Sequence, residues 1–143
     1  MDPTLHPLLR ALRELGLPIG DFALFGSGPL LARGWIEDAG DLDVLARGRA
    51  WDHAQALGSL TYLPEHGVSV VAIGAHITVG TRWAIGNVNA DEVIDGAELI
   101  GGIPCAALRQ VIAYKRVANR PKDRLHLEII ARHTGSQLRD GIA

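Results

Sequence analysis

The chain has 143 residues, of which 48% are hydrophobic and 21% are charged, and its formal net charge is -2. This length and apolar content predict a single globular domain over residues 1–143 with enough hydrophobic material for a core. The slightly acidic balance excludes the basic surface of a general nucleic-acid-binding protein, so any such binding would need a local patch. No stretch of the sequence approaches the roughly 20 apolar residues of a membrane span, so we expect no membrane partner.

The only cysteine, Cys105, excludes an internal disulfide and fits the reducing environment of the cytosol. The N-terminus lacks a basic segment followed by an apolar run, so we expect no signal peptide and a cytoplasmic protein. Cys105 follows Pro104 at a predicted helix start, where we expect a small buried apolar residue rather than a nucleophile.

A stripe of leucines near the N-terminus predicts the first helix, over residues 4–15. Thr4 or Asp2 would cap its start, and Gly16 would end it. His6 lies near the start of this helix and is expected to be exposed.

A strand, a glycine-rich turn and a second strand come next. Phe22–Phe25 is a short apolar run that predicts a strand, and Gly26-Ser27-Gly28 follows it directly. Pro29 opens a brief helix, because proline is favoured in a first helical turn. After a turn, the second strand carries Asp41 and Asp43.

The rest of the chain predicts short elements and then two longer helices. The short elements are a helix over 50–57, an edge segment or loop at 62–63, a strand pair at Val68–Ile73 and 76–81, a helical turn at 91–94 and a strand at Glu98–Ile100. The two helices cover 105–118 and 122–133, and the residues from 134 onward are expected to fray. This order predicts an α/β (α+β) fold, with a small mixed sheet flanked by helices and a C-terminal helix pair.

Asp41 and Asp43 alternate with apolar residues, so both carboxylates point to one face of the strand while Leu42 and Val44 point into a core. Two neighbouring carboxylates repel each other, and the usual reasons to keep such a pair are a divalent cation between them or exposure to water. A metal site and a solvated strand edge are therefore the two interpretations.

The turn Gly26-Ser27-Gly28 opens a helix, and its free backbone N–H groups favour phosphate, although an ordinary glycine-rich turn has the same composition. A phosphate site combined with metal-binding carboxylates is what phosphoryl or nucleotidyl transfer requires.

These residues resemble a known family. An apolar strand, Gly26-Ser27, a short helix and then Asp41 and Asp43 on a strand are similar to the motif of the DNA polymerase beta-like nucleotidyltransferase superfamily. The run from Lys115 to Asp123 resembles a second signature, Lys…Arg-x-Lys-Asp, of its small bacterial members, which include toxin-type and antibiotic-modifying enzymes.

The resemblance implies a nucleotidyltransferase fold and a transfer of a nucleoside monophosphate from an NTP to a hydroxyl of RNA, protein or a small molecule. It implies Mg²⁺ or Mn²⁺ on Asp41 and Asp43, with the phosphates near Gly26, Ser27 and Gly28. It implies that Lys115, Lys122 and Asp123 form the second wall of the site, where Asp123 could pair with Lys115 or assist the acceptor.

Two of these positions also have structural interpretations. Asp123 would stabilise the start of its helix in any protein. His126 lies where the family often has an acidic residue, and with Ile129, Ile130 and His133 it forms a helical stripe, so a core histidine is the expectation.

A third carboxylate is generally supplied by a later strand in active members of the family. The expected position here is Thr78 or His76, and neither residue is acidic. One of Asp91, Glu92 and Asp95 could substitute, although the register does not support this. His76 could act as the base at neutral pH, or the enzyme could run with two carboxylates. The alternative function is a catalytically degenerate binding or regulatory module, and a third interpretation is a domain that binds no nucleotide. Trp83 could stack on a base or anchor the core.

Overall fold

The computed structural model describes residues 2–83 and 88–135, which form a mixed α/β fold. The strands are β1 (Phe22–Phe25), β2 (Leu42–Ala46), β3 (Ser59–Leu63), β4 (Val68–Ile73), β5 (Ile77–Gly80), β6 (Glu98–Ile100) and β7 (Ile103–Cys105). The α-helices are α1 (Pro7–Glu14), α2 (Gly28–Ala32), α3 (Gly48–Leu57), α4 (Ala90–Asp95), α5 (Leu108–Ala118) and α6 (Pro121–Thr134). None of the helices in these two ranges is both long enough and apolar enough to cross a membrane.

All seven strands belong to one sheet, in the order β3-β4-β5-β2-β1-β7-β6. The pairs β2–β5 and β1–β7 are parallel, and the other four pairs are antiparallel. The mixed sheet that the sequence predicts is therefore confirmed. Of its two central strands, β1 ends beside Ser27 and β2 begins beside Asp41. Because these two strands are antiparallel, both segments lie at the same edge of the sheet.

Each face of the sheet has its own hydrophobic core. Alternate residues of the central strands, such as Leu24 and Val44, pack on one face against α1 and α3. Their neighbours Phe25 and Leu45 pack on the other face against α4, α5 and α6. The helices cover this second face only over the central strands, since Val70 and Thr78 on β4 and β5 stay partly exposed.

The first predicted helix is wrong in one respect, because it is broken at His6. Residues Pro3–Leu5 form a 3-10 helix capped by Asp2, and α1 begins only at Pro7. Proline disfavours helical backbone in the residue before it, which explains the break. His6 caps α1 by accepting the Leu8 N–H at 3.1 Å and lies 3.2 Å from Asp38, so it is not simply exposed.

The predicted helix start at Cys105 is also wrong. Cys105 ends β7, pairs with Leu24 on β1, and precedes the first residue of α5 by three positions. The residue is fully buried, as expected, and burial raises the pKa of its thiol to about 12. An apolar structural role for Cys105 is consistent with these findings.

The other boundaries agree closely with the predictions. Residues 62–63 belong to a full edge strand, β3, and residues 91–94 lie within α4. The second strand begins at Leu42, one residue after Asp41. The last predicted helix extends through Thr134, and most of the segment expected to fray lies outside the described residues.

Candidate active site

A cleft of about 370 Å³ opens at the edge of the sheet where β1 ends and β2 begins. It brings together residues that are distant in the sequence: Ser27, Asp38, Asp41, Asp43, Arg120, Lys122 and His126 line it. Asp38 and Asp41 come from the segment that leads into β2, Asp43 comes from β2 itself, and the two cations come from the start of α6. The cleft therefore has an acidic wall and a basic wall.

The two aspartates of the strand motif differ in their environment. Asp41 is exposed and lies 3.4 Å from the Nδ1 atom of His76. Asp43 is half-buried, and burial raises the pKa of its carboxyl, to which the Asp41 charge adds, while Lys122 opposes the shift. Gly26 has a φ of +65°, which favours glycine, and a Cβ atom there would lie 3.3 Å from an Asp43 carboxylate oxygen, a tight contact.

Within the glycine-rich turn only Ser27 lines the cleft. Gly26 and Gly28 are buried, and a Cβ atom on Gly28 would meet the Leu24 side chain at 2.5 Å. These two glycines are therefore explained by close packing beneath the cleft. Of the three residues predicted to contact phosphate, only Ser27 therefore lines the cleft, as do the cations Arg120 and Lys122.

Lys115 and Asp123 form a buried ion pair behind the basic wall. The Lys115 Nζ atom donates to Asp123 Oδ1 and to the Ser27 Oγ atom, each at 3.1 Å, and both charged side chains are 0% exposed. Burial lowers the pKa of the Lys115 ammonium, although the Asp123 carboxylate opposes this shift. Neither side chain lines the cleft, so both act on it through the groups that they hold.

Arg120 completes the pairing of Asp123. Its Nε atom donates to Asp123 Oδ2 at 2.6 Å, and its backbone N–H donates to the same oxygen at 3.1 Å, which is also the predicted capping of α6. Burial tends to raise the pKa of Asp123, but hydrogen bonds from Arg120 and Lys115 outweigh it and bring the pKa to about 2. The guanidinium also lies over the Tyr114 ring, with 6.0 Å to its centroid.

His126 is not the core histidine that the helical stripe predicts. Its Nδ1 atom lies 3.2 Å from the Ser27 Oγ atom, and its ring lines the cleft. Burial lowers the pKa of the imidazole to about 4, and the nearby Lys115 charge adds to this effect. The ring is therefore neutral at pH 7, and Nδ1 can accept the Ser27 hydroxyl proton while Lys115 donates to the same oxygen.

The position of the expected third carboxylate is well defined. Thr78 on β5 pairs in parallel register with Asp43 on β2, so their side chains share one face of the sheet. His76 lies beside Asp41 outside the cleft lining, with an exposed ring. Asp91 and Asp95 of α4 do not substitute, since they bind Arg47 at 2.8 and 2.6 Å. Glu92, on the same helix, does not line the cleft.

Sequence reasoning missed three features of this cleft. The sequence analysis gave Arg120 no role, although its position before Pro121 could have suggested a helix cap. Asp38 lies in the turn before β2 and adds a carboxylate to the acidic wall. The contact of His126 with Ser27 spans 99 residues and leaves no local signal in the sequence.

The donor set fits a divalent cation that takes part of its coordination from a ligand. No group of three or more His, Cys, Asp or Glu side chains in residues 2–83 and 88–135 is arranged to hold a metal by itself. Mg²⁺ is usually bound by one or two carboxylates together with substrate phosphates and water, and Asp41 and Asp43 can supply those carboxylates.

Comparisons with protein-family models, with curated proteins and with solved structures found no match to this chain. The cleft is therefore interpreted from its own residues.

Removing the Asp123 carboxylate should cost more stability than removing the Lys115 ammonium. In Asp123→Asn the buried ammonium loses its counter-charge, and breaking a buried ion pair in this way costs about 3–5 kcal/mol. In Lys115→Met the carboxylate keeps Arg120 as a partner, so we expect a loss of about 1–3 kcal/mol. Urea unfolding of both variants measures the two free energies.

Glu128→Gln on α6 is the matched control, because the Glu128 carboxylate is exposed and its contact with Arg132 is long, at 3.9 Å. Its free energy of unfolding should stay within about 0.5 kcal/mol of wild type. Equal losses in the first two variants, or a larger loss in Lys115→Met, would contradict the role of Arg120.

Acidification from pH 6.5 to about 4 should destabilise the protein through His126. In this window the unfolded chain binds a proton on the imidazole and the folded protein does not. The free energy of unfolding therefore decreases as the pH decreases. His126→Asn removes this titration while its amide oxygen can still accept from Ser27. Urea unfolding at several pH values should give a flatter pH dependence for the variant.

Asp43 titrates with the opposite sign, because burial raises its folded-state pKa and the folded protein holds its proton longer. Asp43 is present in both wild type and His126→Asn, so the difference between their pH dependences of stability isolates the contribution of the histidine. Parallel stability curves for the two proteins would rule out a depressed pKa at His126.

Proposed function

We propose that this protein is a nucleotidyltransferase that moves a nucleoside monophosphate from a Mg²⁺-bound NTP to an acceptor hydroxyl. The observation that carries the proposal is the convergence of two sequence motifs on one cleft. Ser27, Asp41 and Asp43 come from the first motif and Lys122 comes from the second. All four residues line the same cleft of about 370 Å³. A hydroxyl, paired carboxylates and a cation around one cavity match the chemistry of a triphosphate substrate.

The basic wall is suited to the β- and γ-phosphates. Lys122 and Arg120 are exposed at the start of α6, where the helix dipole adds to their positive potential. Lys115 and Asp123 keep this wall in place from behind, since they bind Ser27 and Arg120. Both are positioning residues in this proposal.

Asp41 and Asp43 would hold the metal ion. When bound, Mg²⁺ supplies positive charge next to the phosphates and so reduces their repulsion of an incoming oxygen. The raised pKa of Asp43 and its half-buried position favour binding of a cation, because a positive charge relieves the cost of keeping this carboxylate ionised.

The proposed reaction forms a bond between the acceptor oxygen and the α-phosphorus and breaks the bond between the α-phosphorus and the oxygen that bridges to the β-phosphate. Pyrophosphate leaves toward the basic wall, and the hydroxyl proton passes to water. Neutral His126 keeps the Ser27 hydroxyl oriented and adds no charge to the site.

Binding of Mg·NTP should depend on the Asp43 carboxylate. Isothermal titration calorimetry of each NTP with Mg²⁺ into wild type should detect binding, and Asp43→Asn should weaken it at least about tenfold, or about 1.4 kcal/mol. Chelation of the metal should weaken binding to wild type by a similar factor. Asp52→Asn, an exposed aspartate on α3, is the matched control and should bind as wild type does.

Lack of binding of any NTP by folded wild-type protein would end the proposal. A Kd that is unchanged in Asp43→Asn would remove the metal site from it.

A second candidate function is a nucleotide-binding module without turnover, and the residue that favours it is Thr78. A carboxylate beside Asp43 would complete the metal site and could deprotonate the acceptor, and general bases contribute typically 10²–10⁴-fold to a rate. This alternative keeps the NTP site and loses the transfer.

Thr78→Asp should separate the two candidate functions, since it adds the missing carboxylate at the position defined by the register. If transfer has been lost through this residue, pyrophosphate release should appear or increase by about 10²-fold or more in the variant. Thr78→Asn is the uncharged control and should remain at the wild-type rate. Pyrophosphate release by wild type that disappears in Asp43→Asn would exclude the binding module.

A further inference from the structure

A hollow of about 170 Å³ lies beside the cleft on the same face of the sheet. Val68 and Val70 on β4 and Thr78 on β5 line it, together with Trp83 and the exposed side chains of His66 and Arg82. Thr78 is the direct neighbour of Asp43 in the parallel pair, and adjacent strands lie only about 4.8 Å apart. The hollow, called the Trp83 hollow below, is therefore one strand away from the candidate metal ligands.

The Trp83 hollow is held open by packing on two sides. A Cβ atom on Gly80 would lie 2.9 Å from the indole of Trp83 and 3.4 Å from Val70, so glycine provides the space for the ring. The indole is anchored edge-on against Phe25, with the two centroids 6.5 Å apart. The Arg82 guanidinium is fixed by donation to the Gly67 carbonyl at 2.6 Å.

The side chains that line the Trp83 hollow suit a flat ring with a negatively charged group next to it. The valines give an apolar floor, the indole gives a stacking surface, and Arg82 gives a cation. Among the residues in 2–83 and 88–135 that line it, none is Asp or Glu. Its volume is below the range of pockets for drug-sized ligands, so it has room for about one ring system.

The position of the hollow relates it to the acceptor of the proposed reaction. In phosphoryl transfer the attacking and leaving oxygens lie roughly in line on opposite sides of the phosphorus. Pyrophosphate would leave toward Ser27 and Lys122, so the acceptor must approach from the opposite side of Asp43. Thr78 and the Trp83 hollow lie on that side.

We propose that the Trp83 hollow binds a nucleobase of the acceptor, which is a single-stranded RNA, by stacking on Trp83 with its phosphate next to Arg82. This inference rests on the proposed function, because it takes the side of the acceptor from the direction of pyrophosphate release. It assigns the acceptor class and a recognition site that lies outside the catalytic cleft.

Short fluorescein-labelled single-stranded oligoribonucleotides test the site by fluorescence anisotropy, and calorimetry of Mg·NTP is measured on the same proteins. Trp83→Leu should raise the Kd of the oligoribonucleotide by about tenfold or more, because one stacked base is lost. Trp83→Phe keeps an aromatic face and should retain most of the affinity. Arg82→Gln should raise the Kd and lower the salt slope by about one phosphate contact.

Trp51→Leu on α3, on the other face of the sheet, and Arg49→Gln are the controls and should bind the oligoribonucleotide as wild type does. Mg·NTP binding should be unchanged in all these variants, which also shows that they are folded. If wild type binds Mg·NTP but no oligoribonucleotide, or if Trp83→Leu binds RNA as well as wild type, the inference is overturned and the proposed function stands.

A tyrosine-containing peptide that binds wild type in place of the RNA, and loses affinity in Trp83→Leu, would overturn the RNA assignment. A wild-type protein that binds neither Mg·NTP nor RNA would overturn the proposed function and this inference together.

Discussion

The Lys115 ammonium lies in the interior of the protein, 3.1 Å from both the Asp123 carboxylate and the Ser27 hydroxyl. An uncompensated charge at such a position costs several kcal/mol, so α5, the start of α6 and the turn after β1 are obliged to stay together. The basic wall of the cleft depends on this constraint, because Arg120 is held by the same carboxylate. The ion pair thus connects the helix pair to the edge of the sheet where the aspartates lie.

The sheet supplies the second part of the arrangement. Antiparallel pairing of β1 with β2 places Phe25 opposite Asp43, and parallel pairing of β2 with β5 places Thr78 on its other side. One row of neighbouring side chains therefore runs from an aromatic core residue through the half-buried carboxylate to a partly exposed threonine. This row passes from the helix-covered part of the face to its open part, which gives the cleft one closed side and one accessible side.

Local pattern predicted most elements because their hydrophobic residues repeat within a few positions, as in Phe22–Phe25 and Val68–Ile73. The pairing of Lys115 with Asp123 was one of two alternatives that the resemblance implied, and local pattern did not predict it. Local pattern also did not predict β7, since three residues with a central proline form a strand only when β1 and β6 are present on both sides. His126 was placed in the core for a similar reason. Its apolar helical neighbours are visible in the sequence, whereas its partner Ser27 is 99 residues away.

The long sequence separation of Ser27 from its partners also affects the order in which the protein folds. The hairpins β3–β4 and β4–β5 close over short loops, but the contacts of Ser27 with Lys115 and His126 close loops of 88 and 99 residues. Loop closure costs more entropy as the loop grows, and contacts between distant residues slow folding. We therefore expect the hairpins to form early and the cleft to assemble late, so that a partly folded chain can have part of its sheet before it has a site.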